Sequence, residues 1–202
     1  MLAGVSLGVA AGEIIDVAGP SGAGKSTLLH ALARLLPGVS GELSLGGRPA
    51  SDFSPQEWRS NVALLPQKPA MADGDVRHNL LLPWEMRIRR DEAPPAIDVL
   101  RRELVSLALG EVAPDRDVSR LSVGQQARIA LLRVVLTSPR VLLLDEPDAA
   151  LDSISAQAVA ERLRVFASGG GAVIRVRHRE DDGLASRRLT MRAGVLDGGA
   201  GA

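Results

Sequence analysis

A run of glycines and small residues, Gly19-Pro20-Ser21-Gly22-Ala23-Gly24-Lys25-Ser26-Thr27, separates the apolar segment Ile14-Ile15-Asp16-Val17-Ala18 from a second apolar stretch that starts at Leu28-Leu29. It fits the pattern G-x-x-x-x-G-K-[ST], which has a physical logic. Glycines let successive backbone N–H groups curl around phosphate oxygens with no Cβ in the way. The N-terminus of the helix that follows adds partial positive charge. A lysine reaches the β- and γ-phosphates as a compact point charge where a planar guanidinium fits poorly. The next hydroxyl can ligate Mg²⁺. Lys25 and Lys68 are the only lysines in a chain whose other basic side chains are arginine, so Lys25 stands where arginine does not substitute. The loop works only between a strand end and a helix start, which commits the chain to an α/β sheet.

The rest of the chain is consistent with that commitment. Its 202 residues suit one domain with a sizeable core. Hydrophobic residues make up 46% and charged residues 24%, ordinary for a globular protein. Cysteine is absent, which excludes disulfides, thiolate metal sites and cysteine nucleophiles. Lys+Arg and Asp+Glu balance at 24 each, so no nucleic-acid partner is expected. No apolar run is long enough to span a bilayer and no export signal is evident, so the expected compartment is the cytoplasm. Short apolar runs at Ile14–Ala18, Asn61–Pro66, Val141–Leu144 and Val173–Val176 read as strands. Glu42–Leu45 with Gly46-Gly47 reads as a strand and turn. Helices are expected over Lys25–Leu36, Ser54–Trp58, Val76–Met86, Pro95–Leu109, Ser122–Thr137 and Ser153–Ser168. The small residues Gly198–Ala202 are expected to be disordered.

Further groups carry chemistry. Val141-Leu142-Leu143-Leu144 runs into Asp145-Glu146, so a buried strand delivers two carboxylates at its C-terminal edge. Asp145 suits a Mg²⁺ ligand and Glu146 a group that polarises an attacking water. In Leu121-Ser122-Val123-Gly124-Gln125-Gln126, Ser122 and Gly124 open a helix and offer a second anion site. The phosphate loop alone would equally serve a kinase, a GTPase or a motor, and the Ser122 segment alone would be an N-capped amphipathic helix.

Together these segments resemble the ATP-binding cassette (ABC) ATPases, in order along almost the whole chain. Leu121–Gln125 is similar to the family signature L-S-G-G-Q, with Val123 in place of its first glycine. Gln67 resembles the glutamine that ligates Mg²⁺ and senses a membrane partner. Ala150-Leu151-Asp152 resembles the loop that follows the acidic strand. His178 resembles the switch histidine that contacts the γ-phosphate, here flanked by Arg177 and Arg179 instead of a small hydroxyl residue and Asp.

The resemblance implies a P-loop NTPase fold: a mainly parallel, RecA-like α/β core over about 1–72 and 138–197, a helical subdomain over about 73–137, and a small antiparallel β part. It implies ATP and Mg²⁺ as ligands. Gly19 to Thr27, Gln67, Asp145, Ser122, Gly124, Gln125 and Asp152 would hold them, with Ser26, Gln67 and Asp145 at the metal. Glu146, His178, Lys25 and Gln67 would carry hydrolysis. Two copies would sandwich two nucleotides head to tail and drive a separate membrane subunit, placing the chain at the inner face of the membrane. The family's first strand and its adenine-stacking aromatic would precede Val5-Ser6-Leu7, where this sequence has only Met1 to Gly4, and a start codon further upstream is the expectation. Asp73-Gly74-Asp75-Val76-Arg77-His78-Asn79-Leu80 with Leu82-Pro83-Trp84 resembles a bacterial iron-export subfamily, in which Trp84 and neighbouring leucines would face the membrane subunit. A soluble ABC ATPase acting on ribosomes or DNA, and a degenerate non-hydrolysing regulator, remain as alternatives.

Overall fold

The computed structural model describes residues 2–178 and 181–198. The flanking Arg179 and the tail from Gly199 onward lie outside the described residues. Strand β1 (Ile14–Ala18) runs into helix α1 (Lys25–Leu32), and a hairpin of β2 (Ser44–Leu45) and β3 (Arg48–Pro49) follows. Next come α2 (Pro55–Asn61) and β4 (Val62–Leu65). Between β4 and β5 (Val141–Asp145) the chain is helical: α3 (Val76–Glu85), α4 (Ile97–Ser106) and α5 (Val123–Val135). Helix α6 (Ser153–Ser168), β6 (Ala172–Val176), β7 (Arg187–Arg192) and β8 (Val195–Asp197) complete the order.

One six-stranded sheet runs β4-β5-β6-β1-β7-β8, parallel throughout except for the β7–β8 pair. Helices cover both faces of this sheet. In β5, Leu142 and Leu144 belong to the core shared with α3 to α6, while Val141 and Leu143 belong to the core shared with α1 and Trp58. The two-residue period of a strand sends alternate side chains to opposite faces, so an unbroken apolar run is what a doubly covered strand requires.

Helix α1 ends four residues before its expected limit at Leu36 because Arg34 takes φ +54 and turns the chain. Its guanidinium donates to the carbonyls of Ala50 (2.6 Å) and Phe53 (3.3 Å). The buried Trp58 donates its indole N–H to Leu32 O at 2.8 Å, which satisfies a carbonyl freed at the helix end. Strands β7 and β8 are additions to the sequence reading. The arginines of Arg187-Arg188-Leu189-Thr190-Met191-Arg192 mask an alternation in which Leu189 and Met191 are buried. A two-residue turn, Ala193 (φ +48) and Gly194 (φ +85), then closes the hairpin, as left-handed residues do between twisted strands.

Gly19 leaves β1 at φ +147, and a Cβ there would stand 2.2 Å from Met191 O of the neighbouring strand. Both the conformation and the contact forbid a side chain. Gly19→Ala should cost about 2 kcal/mol or more and lower Tm by roughly 4–8 °C. An unchanged melting temperature in a calorimetric scan would show that the loop does not need this approach.

Candidate nucleotide site

The phosphate loop is built as its sequence demands. Gly22 (φ +78) and Gly24 (φ +104) hold left-handed conformations, and Gly24 is the N-cap of α1. Ser21, Gly22, Ser26 and Thr27 are exposed, while Ala23 and Lys25 are buried. The Lys25 ammonium donates to Gly19 O (2.8 Å) and Pro20 O (2.9 Å), which holds it over the loop it would share with a polyphosphate. Nothing lies within 4 Å of a Cβ added to the exposed Gly22. The donor set nearby suits a hard cation that arrives with a phosphate: the Ser26 hydroxyl, the Asp145 carboxylate at the end of β5 and the Gln67 amide oxygen. Among the described residues no group of three or more His, Cys, Asp or Glu could hold a metal unaided.

Glu146 follows β5 in the left-handed region, at φ +52, a conformation that costs a residue with a Cβ on the order of 1–3 kcal/mol. Its N–H donates to Val176 O at 3.0 Å, which ties the turn to the end of β6. Gln67 Nε2 donates to one carboxylate oxygen at 2.9 Å, and His178 Nε2 lies 3.2 Å from the other. Side chains from two other loops, Gln67 and His178, thus converge on one carboxylate.

Beside these residues the sheet carries buried charges. Arg175, Asp16 and Arg188 face one another in register across β6, β1 and β7. Arg175 donates to both oxygens of Asp16 (2.7 and 3.0 Å) and to both of Asp182 (3.0 and 3.1 Å). Arg177 donates through Nε and Nη2 to Asp148 (3.1 and 2.8 Å). Burial works against ionising Asp182, but the hydrogen bonds and charge of Arg175, the Leu184 N–H and the charge of Arg177 outweigh it and hold the carboxyl below the usual range. Burial likewise works against the Arg175 cation, and Asp182 and Asp16 more than offset it, leaving its pKa raised. The sequence-based expectation placed Arg177 as a flank of His178; the structure commits its charge to carboxylates.

Ser122 is the N-cap of α5. Its Oγ accepts from Gln125 N (3.2 Å), and its own N–H donates to Gln125 Oε1 (3.0 Å). Gly124 packs against the loop after β5: a Cβ there would stand 3.3 Å from Ala150 O and from Leu151 Cδ2. Val123 is 72% exposed. Asp152 caps α6 by accepting from Ser155 N and Oγ, each at 2.9 Å, and the Ser155 N–H is the main cause of its lowered pKa. Gly19–Thr27, Lys25, Gln67, Asp145, Glu146 and His178 therefore gather on one sheet edge. Among the described residues no hydrogen bond or ion pair joins Ser122, Gly124 or Gln125 to that loop. One expectation needs correction. Leu80 is core, Leu81 and Leu82 are half-buried, and Trp84 is half-buried beside the Arg89 guanidinium; the exposed apolar groups here are Met86 and Ile88. They follow the helix end instead of lying on its inner face. Sequence analysis also missed the Asp16–Arg175–Arg177–Asp182 cluster, for which charged residues inside strand patterns were the available signal.

The Asp182 shift fixes a sign. Its folded pKa lies below its unfolded value, so its stabilisation is complete above about pH 4 to 5 and is lost as pH falls through the folded value. Urea unfolding should show stability declining with acidity below about pH 4, and Asp182→Asn should flatten that decline. An identical slope in the variant would show that the carboxyl contributes nothing through ionisation.

Comparison with known proteins agrees with this geometry. The family profile for ABC transporters matches residues 2–149. The chain is 40% identical over 184 residues to a hemin import ATP-binding protein of Streptomyces coelicolor, covering 88% of this chain and 64% of that protein. It is 34% identical over 183 residues to a probable iron export ATP-binding protein of Escherichia coli, covering 90% of this chain and 80% of that protein. Among solved structures, a bacterial Atm1-family ABC exporter with ATP bound superposes with TM-score 0.82 at 26% identity, over 97% of this chain and 35% of that one. A dimeric ATP-binding cassette in a post-hydrolysis state with ADP and Pi gives TM-score 0.78 at 25% identity, over 97% and 88%. The profile match over residues 2–149, with a relative 34% identical that the chain covers to 80%, makes the chain a member of the ABC transporter family, an ABC ATPase domain.

Proposed function

We propose that this chain binds ATP and hydrolyses it to power a separate membrane transporter subunit. The observation that carries this is the clasp of Gln67 and His178 on Glu146, at the sheet edge where the phosphate loop begins. Glu146 would orient a water and accept its proton, since its carboxylate is fixed by two partners and stands at the strand end. Lys25 and the loop N–H groups would take the charge that develops on the transferred phosphoryl oxygens. His178 would lie against the γ-phosphate. Ser26, Asp145 and Gln67 would hold Mg²⁺, which when bound neutralises phosphate charge. Nucleotide binding would be completed in trans, with Ser122 and Gly124 of a second copy closing on the γ-phosphate. Their outward-facing helix tip, unlinked to the chain's own loop, supports that arrangement. The core of about 1–72 and 138–197 and the helical part of about 73–137 would then act as the two lobes of each subunit.

The likeness to a hemin import protein and to a probable iron export protein supports an iron-bearing cargo. The resemblance of the segment from Asp73 to Trp84 to an iron-export subfamily would favour export. Met86 and Ile88 would meet the membrane subunit, which would hold the chain at the cytoplasmic face of the membrane. Metal flux in vesicles holding both subunits, with ATP inside or outside, gives the direction.

Glu146→Gln should lower kcat by about a hundredfold or more and accumulate an ATP-bound dimer on size-exclusion chromatography. Normal turnover by that variant would remove Glu146 from the chemistry. Gly124→Asp should abolish hydrolysis while ATP binding to the isolated chain persists, because the added carboxylate would face phosphate from the other copy. Loss of binding in the monomer would instead place Gly124 in the site of its own chain.

A further inference from the structure

Arg177 stands between the two catalytic loops. Its N–H donates to Val17 O at 3.3 Å, near the start of the phosphate loop, and the next residue is His178. Its side chain, 7% exposed, reaches three carboxylates from three segments. Nε and Nη2 hold Asp148, two residues beyond Glu146. Nη1 lies 3.0 Å from Asp182, in the segment between β6 and β7, and 3.6 Å from Asp16 of β1. Nη1 is buried in this company without a well-aligned hydrogen bond. The sheet does not need this guanidinium for its pairing. Strand β6 is hydrogen-bonded on both sides, and Arg175 already ties it to Asp16 and Asp182. What Arg177 adds is the link to Asp148 and so to the loop that ends at Asp152, the cap of α6, against which Gly124 packs.

We propose that Arg177 is a positioning residue for ATP hydrolysis: through Asp148 it locks the turn bearing His178 to the loop running from Glu146 to Asp152, so that these move as one body. It rests on the assignment of Glu146 and His178 to the hydrolytic site. Moving either loop alone would pull a buried cation from a buried carboxylate, which a low-dielectric interior strongly resists. The loop after β5 can then shift only together with His178. The distances to Glu146 would be kept whenever a contact at Asp152 or Gly124 displaces that loop.

The test is a double-mutant cycle on the full chain, Arg177→Gln and Asp148→Asn, singly and combined, read as kcat and KM for ATP well below the melting temperature. Each single change should lower kcat about tenfold with KM within about twofold, and the pair should be no worse than the worse single. Multiplied losses of about a hundredfold, a parallel rise in KM, or unchanged kcat overturns the proposal. If Arg177→Gln does not fold, Asp148→Asn alone decides, since it leaves Arg177 with Asp16 and Asp182. His178→Ala is the control. If it turns over normally, the assignment of the hydrolytic site fails; if it is inactive while Arg177→Gln and Asp148→Asn are normal, only the positioning role fails.

Discussion

Parallel pairing in register across β4, β5, β6 and β1 brings four strand ends to one edge of the sheet. Leu65 pairs with Leu144, Asp145 with Val176, and Val176 with Val17. Each strand therefore stops at nearly the same height, and the residues just beyond are Gln67, Glu146, His178 and Gly19. Four segments scattered along the sequence become one constellation because their strands share a register. A one-residue slip in any pair would invert that strand's faces and carry its functional residue out of reach.

Polar groups finish what register begins. Glu146 occupies a left-handed conformation that a side chain disfavours, and the surrounding contacts hold it there: a backbone bond to β6 and side chains from Gln67 and His178. The charged cluster under His178 has a different economy. Asp16 and Arg175 are both 2% exposed, in the middle of strands where apolar residues would be the simpler filling. Such a cluster adds little net stability over apolar packing. Removal of one partner, by contrast, strands a charge at a cost of about 3–5 kcal/mol. It fixes geometry more than it adds stability, and it lies where geometry matters.

The helices between β4 and β5 carry the Ser122 tip, which among the described residues has no hydrogen bond or ion pair to the chain's own phosphate loop. Gly124 lets α5 sit close to Ala150 and Leu151, where a Cβ would stand 3.3 Å from each and the neighbours would have to give by a few tenths of an ångström. Asp152 caps α6 from the same loop, so one segment links the turn at Glu146, the tip of α5 and the start of α6.

Much of this was legible in the sequence because it rests on local rules. The glycine-rich loop, the apolar strand ending in Asp145-Glu146 and the Ser122–Gln125 capping box each carry their chemistry within a few residues. The strand Arg187–Arg192 did not, since its arginines mask the alternation and its place between β1 and β8 is set by pairing with β1, far away in the sequence. The early end of α1 depends on Arg34 finding carbonyls in another segment, and the buried role of Arg177 on carboxylates from three others. The sequence by itself determined which residues could bind phosphate and carry a proton, because those abilities belong to side chains and to glycine. The tertiary structure alone decided which of them meet, because strand register and buried ion pairs join residues far apart along the chain, and no local pattern records such distances.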